Sequence, residues 1–164
     1  MAWTVKLVGF RFNYKRTVAL DHVTRAPILY PRTGRPIEVF HPMVPCIIAS
    51  ENKTSPQIDA LLDFGSDGIV IPKMLADSLG LRLKQSDKPM RIANGKSIRR
   101  LTARAHLTIG RGERRCGPIE FEVSVPEEGD PPILIGREPV SRLFVITFVE
   151  AEKWFEMKPL CTTE

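Results

Sequence analysis

Two neighbouring segments of this sequence alternate apolar and polar residues with a period of two, and this pattern constrains the fold more than any other feature. In RLTARAHLTIG, residues 100–110, the apolar side chains share one face of a long strand: Leu101, Ala103, Ala105, Leu107 and Ile109. In PIEFEVSV, residues 118–125, the pattern places the apolar residues inward and Glu120, Glu122 and Ser124 outward. The sequence therefore predicts long strands with one buried face.

The rest of the chain indicates shorter strands of the same kind. Fourteen prolines and eleven glycines divide the sequence into short segments, which favours turns and strands over long helices. Apolar runs at MVPCIIAS, IDALLDF, GIVIP, ILIG, VITFV and KWFEM each fit one strand, whereas PKMLADSLG and REPVSRLF fit short helices. We therefore expect an all-β, barrel-like or sandwich domain with one or two short helices.

The chain divides into an irregular N-terminal part and a regular main part. Residues 1–40 are predicted to be a β extension, with strands at WTVKLVGFRF and APILY. Residues 41–160 form the predicted domain, and residues 161–164 a tail.

Composition argues against several classes of protein. The three cysteines form no CxxC pair, and the three histidines are scattered, so we expect neither a disulfide scaffold nor a metal site, and no cofactor. The first sixteen residues carry charge inside their apolar stretch, which fits neither a signal peptide nor a membrane span. We expect a cytoplasmic protein without a membrane partner.

The segment LLDFGSDGIVI is the strongest candidate for chemistry. Asp63 ends an apolar strand and is followed by a turn of Phe64, Gly65 and Ser66, after which the chain enters another apolar strand. Backbone N–H groups of such a turn, together with the Ser66 hydroxyl, can hold a carboxylate by hydrogen bonds. A carboxylate held in this way suits proton transfer to a substrate. The same pattern also fits an aspartate that only caps its own turn.

The chain as a whole resembles the retropepsin-like aspartic peptidases, of the single-lobe cellular and microbial type. The resemblance runs from about residue 42 to about residue 158. It rests on the order of MVPCIIAS, IDALLDFGSD, IPKMLADSLGL, the hairpin-like MRIANGKSIRRLTARAHLTI, and PPILIGREPVSRLFVITF. The fold that it implies is a single-lobe acid-protease barrel.

The resemblance implies an endopeptidase that cleaves extended polypeptides as a homodimer. Two carboxylates, one Asp63 from each subunit, would activate a water molecule, because the sequence contains Asp-x-Gly-Ser only once. Gly65 and Ser66 match the active-site loop, and Asp67 and Arg137 match an acid and an arginine that pair and brace it.

Other roles implied by the resemblance concern the cleft. Val70 and Leu134 match apolar positions that line it, although both also fit ordinary core packing. Asn94 and Gly95, the strongest hairpin signal in the chain, match the tip of a mobile flap.

Phe64 departs from the family pattern, which has Thr or Ser between Asp and Gly. That hydroxyl normally bonds across the dimer axis, whereas a phenylalanine would pack against its twin or signal lost activity. One alternative function is therefore a catalytically silent dimer of the same fold, acting in binding or assembly.

A more distant alternative, from the net charge of +5, is a basic β-barrel that binds nucleic acid. Its candidate residues are Arg99, Arg100, Arg111, Arg114 and Arg115, but few aromatic residues accompany them.

Overall fold

The alternating segments pair with each other and with shorter strands to form a barrel. The computed structural model describes residues 9–92 and 95–160. The strands, in chain order, are β1 (Phe10–Asn13), β2 (Lys15–Val18), β3 (Glu38–His41), β4 (Met43–Ala49), β5 (Ile58–Leu62), β6 (Ile69–Val70), β7 (Lys84–Gln85), β8 (Met90–Arg91), β9 (Ser97–Ile98), β10 (Arg100–Arg111), β11 (Arg114–Pro126), β12 (Leu134–Ile135), β13 (Phe144–Val149) and β14 (Trp154–Pro159). The helices are α1 (Lys73–Ser78) and α2 (Arg137–Leu143).

Six of these strands close into one barrel. Their order is β11-β6-β12-β5-β4-β10, and β10 pairs with β11 to complete the ring, while β7 extends β10. The pairs β5–β12 and β6–β11 are parallel, and the remaining barrel pairs are antiparallel. The expectation of an all-β barrel with two short helices is confirmed.

The barrel interior is filled by the apolar faces that alternation predicted. Along β10 the side chains of Ala103, Ala105, Leu107 and Ile109 are buried, as are Phe121, Val123 and Val125 along β11. The prediction for Ser124 is wrong, because this side chain is 9% exposed. Its hydroxyl accepts a hydrogen bond from Arg100 Nη1 at 3.2 Å, so both faces of β11 are covered at this point.

The helices are short and begin and end near the residues that signalled them. Pro72 immediately precedes α1, and Gly80, with φ of +64°, follows its last turn in a conformation that favours glycine. Helix α2 follows β12 directly and leads into β13. No helix in the described part of the chain is long and apolar enough to cross a membrane.

The N-terminal strand joins the C-terminal strands in a second sheet. This three-stranded sheet has the order β1-β14-β13, and its side chains Phe155 and Met157 are fully buried. In segment 19–37 the pairing is reduced to isolated bridges, Leu20 with Pro27 and Leu29 with Pro36. The strand predicted at APILY therefore does not form a continuous ladder, because Pro27 in this segment and Pro36, the partner of Leu29, have no N–H to donate.

Candidate active site

Asp63 lies immediately after β5, where the barrel opens into a cleft. Its backbone N–H donates to Ile135 O at 2.9 Å, which continues the parallel pairing of β5 with β12. Its side-chain Oδ1 accepts a hydrogen bond from the Gly65 N–H at 2.9 Å. The carboxylate is thus held by the turn that follows it and not by its strand alone.

The Ser66 hydroxyl does not take part in holding this carboxylate. It donates to Gly68 O at 3.0 Å, and the Ser66 N–H donates to the backbone carbonyl of Asp63 at 3.1 Å. The expected bond from Ser66 to the Asp63 side chain is therefore absent. Its hydroxyl closes the loop instead.

The start of α2 fixes the same loop through backbone hydrogen bonds. The N–H groups of Gly136, Arg137 and Glu138 donate to the carbonyls of Gly68, Ser66 and Asp67 at 3.0, 2.9 and 2.9 Å. Three consecutive donors on one segment and three acceptors on the other define the position of the loop more tightly than one side-chain contact could.

Gly136 permits this close approach. A Cβ atom at this position would lie 2.4 Å from Gly68 O and 2.4 Å from Ser66 O, both of them backbone atoms. Only glycine allows the two backbones to meet here. The structure therefore requires glycine at this position of the ILIG motif.

The predicted pair of Asp67 and Arg137 is present. Arg137 Nη2 donates to Asp67 Oδ1 across the loop-to-helix contact. Both side chains are exposed, at 57% for Arg137 and 87% for Asp67. The backbone hydrogen bonds already join the loop to α2, and this exposed ion pair adds a side-chain contact between the same two segments.

Phe64 points away from the cleft toward the three-stranded sheet. Its ring meets that of Phe148 edge-on, with centroids 5.8 Å apart and an interplanar angle of 88°. Phe148 in turn lies 5.8 Å from the buried Phe155. Within the chain, Phe64 thus connects the Asp63 loop to strand β13. The expected packing of Phe64 against its twin concerns a dimer and stays a prediction.

The cleft itself has a volume of about 1160 Å³ and is lined by the loop of Asp63, Gly65 and Ser66. Val70 and Leu134 also line it, and they are register partners in β6 and β12. A separate cavity of about 540 Å³ lies beside β1 and shares none of these residues. Only the larger cleft contains the Asp63 carboxylate.

A hairpin of β8 and β9 lines the opposite side of the cleft. Met90, Ile92 and Ile98 face the space, and Gly95, exposed with φ of +81°, donates its N–H to Ile92 O at 2.8 Å. Asn94, the other residue predicted for the tip, lies outside the described residues.

Sequence reasoning missed two cleft residues, Arg100 and Ser124. Ser124 was assigned to a solvent-facing position by alternation, and Arg100 to a basic surface. The contact between Arg100 and Ser124 depends on the pairing of β10 with β11 beside the cleft. No local sequence pattern indicates this contact.

The arginines considered for nucleic-acid binding do not form one surface. Arg99 and Arg100 lie at the start of β10, whereas Arg111, Arg114 and Arg115 lie around the turn at its other end. With about 3.3 Å per residue, a strand of this length separates the two groups by roughly 35 Å. These five arginines thus do not line one continuous groove.

Comparison with known proteins identifies the part of the chain that carries this site. Residues 45–138, more than half of the chain, match the aspartyl protease family. A search of curated proteins gave no match.

Two solved structures are similar to the chain. A retropepsin-like aspartic protease from Rickettsia conorii is 14% identical, with 90% of this chain and 95% of that chain covered and a TM-score of 0.49. The EIAV protease in complex with the inhibitor HBY-793 is 18% identical, with 70% and 93% covered and a TM-score of 0.45.

Proposed function

Because this chain belongs to the aspartyl protease family, we propose that it is an aspartic endopeptidase whose active site forms between two copies of the chain. One observation carries the proposal. Asp63, whose carboxylate accepts a hydrogen bond from the Gly65 N–H at 2.9 Å, lines a cleft of about 1160 Å³. A space of this size accommodates several residues of an extended peptide.

The proposed mechanism uses two Asp63 carboxyl groups that share one proton. The ionised carboxylate removes a proton from a water molecule, which attacks the peptide carbonyl, while the protonated carboxyl donates to the carbonyl oxygen. The tetrahedral intermediate then collapses: the leaving amine takes the proton that the first carboxylate removed from water, and a hydroxyl of the intermediate returns a proton to the second carboxylate, which restores the shared proton. In each subunit, the Gly65 N–H keeps its carboxylate oriented toward the bound peptide.

The partner for this site is a second copy, and strand β13 supplies a surface for it. Among the described residues, β13 is one of the two edge strands of its sheet, with its second side unpaired. Val145 is 51% exposed and Phe148 is 38% exposed on this strand. Because Phe148 contacts Phe64, antiparallel pairing of two β13 strands about a two-fold axis would bring the two Asp63 loops toward each other.

The experiment compares the wild type with Asp63→Asn. The amide preserves the shape of the side chain but cannot hold the shared proton, so cleavage of an unfolded protein substrate should be lost while thermal stability and dimerisation are retained. Asp87→Asn, in an exposed loop outside the cleft, is the matched control and should cleave like the wild type. Undiminished cleavage by purified Asp63→Asn protein would overturn the proposal.

A second candidate is a catalytically silent dimer of the same fold. The observation that favours it is Phe64, which occupies the position of a hydroxyl residue in the family pattern and packs on Phe148. A wild-type protein that dimerises but cleaves no unfolded protein from acidic to neutral pH would support this second function.

A further inference from the structure

Arg100 is fixed at the side of the cleft by three hydrogen bonds. Its Nε lies 3.2 Å from Ser86 Oγ and 2.9 Å from Lys88 O, and its Nη1 lies 3.2 Å from Ser124 Oγ. The side chain is half-buried and lines the cleft. A long side chain held at three points has a defined position before any ligand arrives.

All three partners of this guanidinium are neutral oxygens. None of the ion pairs among the described residues includes Arg100. Other arginines of the chain differ in this respect, since Arg104 pairs with Glu120 and Arg137 with Asp67. A half-buried positive charge that lacks an anionic partner is the state that binding of a carboxylate would stabilise most.

We infer that Arg100 determines specificity, so that the cleft selects peptides with an aspartate or glutamate side chain at the position that meets it. This inference rests on the proposed function, because it assumes that an extended peptide occupies the cleft. The guanidinium would donate from Nη2, which makes no hydrogen bond to a described residue. A carboxylate would accept that bond, and an amide would accept a weaker one.

The barrel order gives the expected place of this acidic residue relative to the cleaved bond. Asp63 follows β5, and Ser124, which holds Arg100, lies on β11, three strands away through β12 and β6. Because the barrel is closed, three strand spacings of about 4.8 Å, roughly 14 Å along its wall, are an upper limit on this separation, so the acidic residue should lie within about four residues of the cleaved bond. In a symmetric dimer each subunit supplies one Arg100, so the preference should occur on both sides of the cleaved bond.

The preference is local and does not come from the charge of the whole cleft. The lining contains four carboxylates, Asp63, Asp67, Glu128 and Asp130, against three cations, Arg91, Lys96 and Arg100. A general attraction for acidic peptides is therefore not expected. Only the position next to Arg100 should discriminate.

The experiment uses peptides in which glutamate replaces glutamine at one position at a time on each side of the cleaved bond. For the wild type we expect kcat/KM to be about tenfold higher for glutamate at the favoured position, equivalent to ~1.4 kcal/mol. The ratio should fall to about one in Arg100→Gln. In Arg100→Glu the favoured side chain should become lysine. The matched control, Arg99→Gln, removes an exposed neighbouring charge outside the cleft and should keep the wild-type ratio.

Two results would overturn the inference: equal rates for glutamate and glutamine at every position, or a preference that survives in Arg100→Gln. Thermal denaturation establishes that each variant is folded. If Arg100→Gln is not folded, Arg100→Lys replaces it, since lysine retains the charge without the planar set of donors and should reduce the ratio.

A binding measurement separates this inference from the proposed function. Fluorescence anisotropy with the same labelled peptides and the Asp63→Asn protein should give the same tenfold preference without cleavage. If the protein binds the glutamate peptide preferentially but the wild type cleaves no peptide, the role of Arg100 is supported and the proposed peptidase activity is overturned. If the wild type cleaves both peptides equally well, the proposed peptidase activity is supported and the role of Arg100 is overturned.

Discussion

Arg137 donates a hydrogen bond from Nη2 to the Asp67 carboxylate, which lies seventy residues earlier in the chain. The contact joins the loop that carries Asp63 to the first residue of α2. Backbone hydrogen bonds from Arg137 and Glu138 to Ser66 and Asp67 run alongside it. Side chain and backbone thus fix the same loop from one direction.

Arg137→Lys should reduce activity more than stability. An exposed ion pair contributes about 0–1 kcal/mol, so the free energy of unfolding should change little. A lysine cannot reproduce the planar donor geometry of the guanidinium, so the Asp63 loop should be less well oriented and kcat/KM should fall about tenfold. Arg142→Lys is the control, because Arg142 forms an equivalent exposed pair with Glu138 on the same helix, outside the cleft. Equal activities of the two variants would contradict the prediction.

Gly136→Ala should destabilise the protein strongly. The new Cβ would lie 2.4 Å from two backbone oxygens, and either the α2 start or the Asp63 loop must move. We expect a loss of about 3 kcal/mol in the free energy of unfolding, measured by chemical denaturation. Gly68→Ala, where no atom lies within 4 Å of the added Cβ, should cost less than about 1 kcal/mol. Similar losses in both variants would show that the close approach at Gly136 is not what matters.

Phe64→Thr tests whether the aromatic contact serves the active site. Loss of the edge-on contact with Phe148 and of the burial of its ring should lower the free energy of unfolding by about 2 kcal/mol. We expect slower cleavage and a weaker dimer, measured by peptide turnover and by sedimentation. A rise in turnover would instead mean that Phe64 suppresses the site and that the hydroxyl restores it.

Val145→Lys should weaken the dimer without unfolding the chain. Val145 is 51% exposed on the unpaired edge of β13, where a lysine discourages pairing with another strand. Light scattering over a dilution series should show dissociation at higher concentration than for the wild type. Val23→Lys, at a position that is 74% exposed in the N-terminal segment, should leave the dimer unchanged. A dimer of unaltered affinity in Val145→Lys would place the interface elsewhere.

Tyr14 should make the free energy of unfolding decrease as the pH rises above about 10. Burial, followed by the 2.5 Å hydrogen bond to Glu150, raises the pKa of Tyr14 from 10.0 to about 12. In the unfolded chain this tyrosine ionises near pH 10, whereas the folded chain retains the proton. Its contribution is therefore fully present below pH 10 and is lost as the pH rises toward 12. Chemical denaturation at several pH values should show a smaller decline over this range in Tyr14→Phe, and an identical decline would contradict the prediction.

The sequence alone was sufficient for features that depend on neighbouring residues. The period of two along β10 predicted the burial of Ala103 and Leu107, because successive side chains of a strand point to opposite faces. The glycine after α1 marked its end, because φ of +64° at Gly80 favours that residue. The resemblance to retropepsin-like aspartic peptidases, which rested on the order of such elements, is confirmed by the family match.

The tertiary structure alone decided the contacts between segments distant in sequence. Alternation placed Ser124 in solvent, but the pairing of β10 and β11 brings Arg100 over its hydroxyl. The three-stranded sheet places Phe148 against Phe64, a contact within the chain that no local pattern indicated. Local periodicity fixes which face of a strand is apolar, but only the closure of the barrel determines what covers the other face. For this reason the sequence could place Asp63 in a turn after an apolar strand, and only the folded chain could place a charged arginine beside the same cleft.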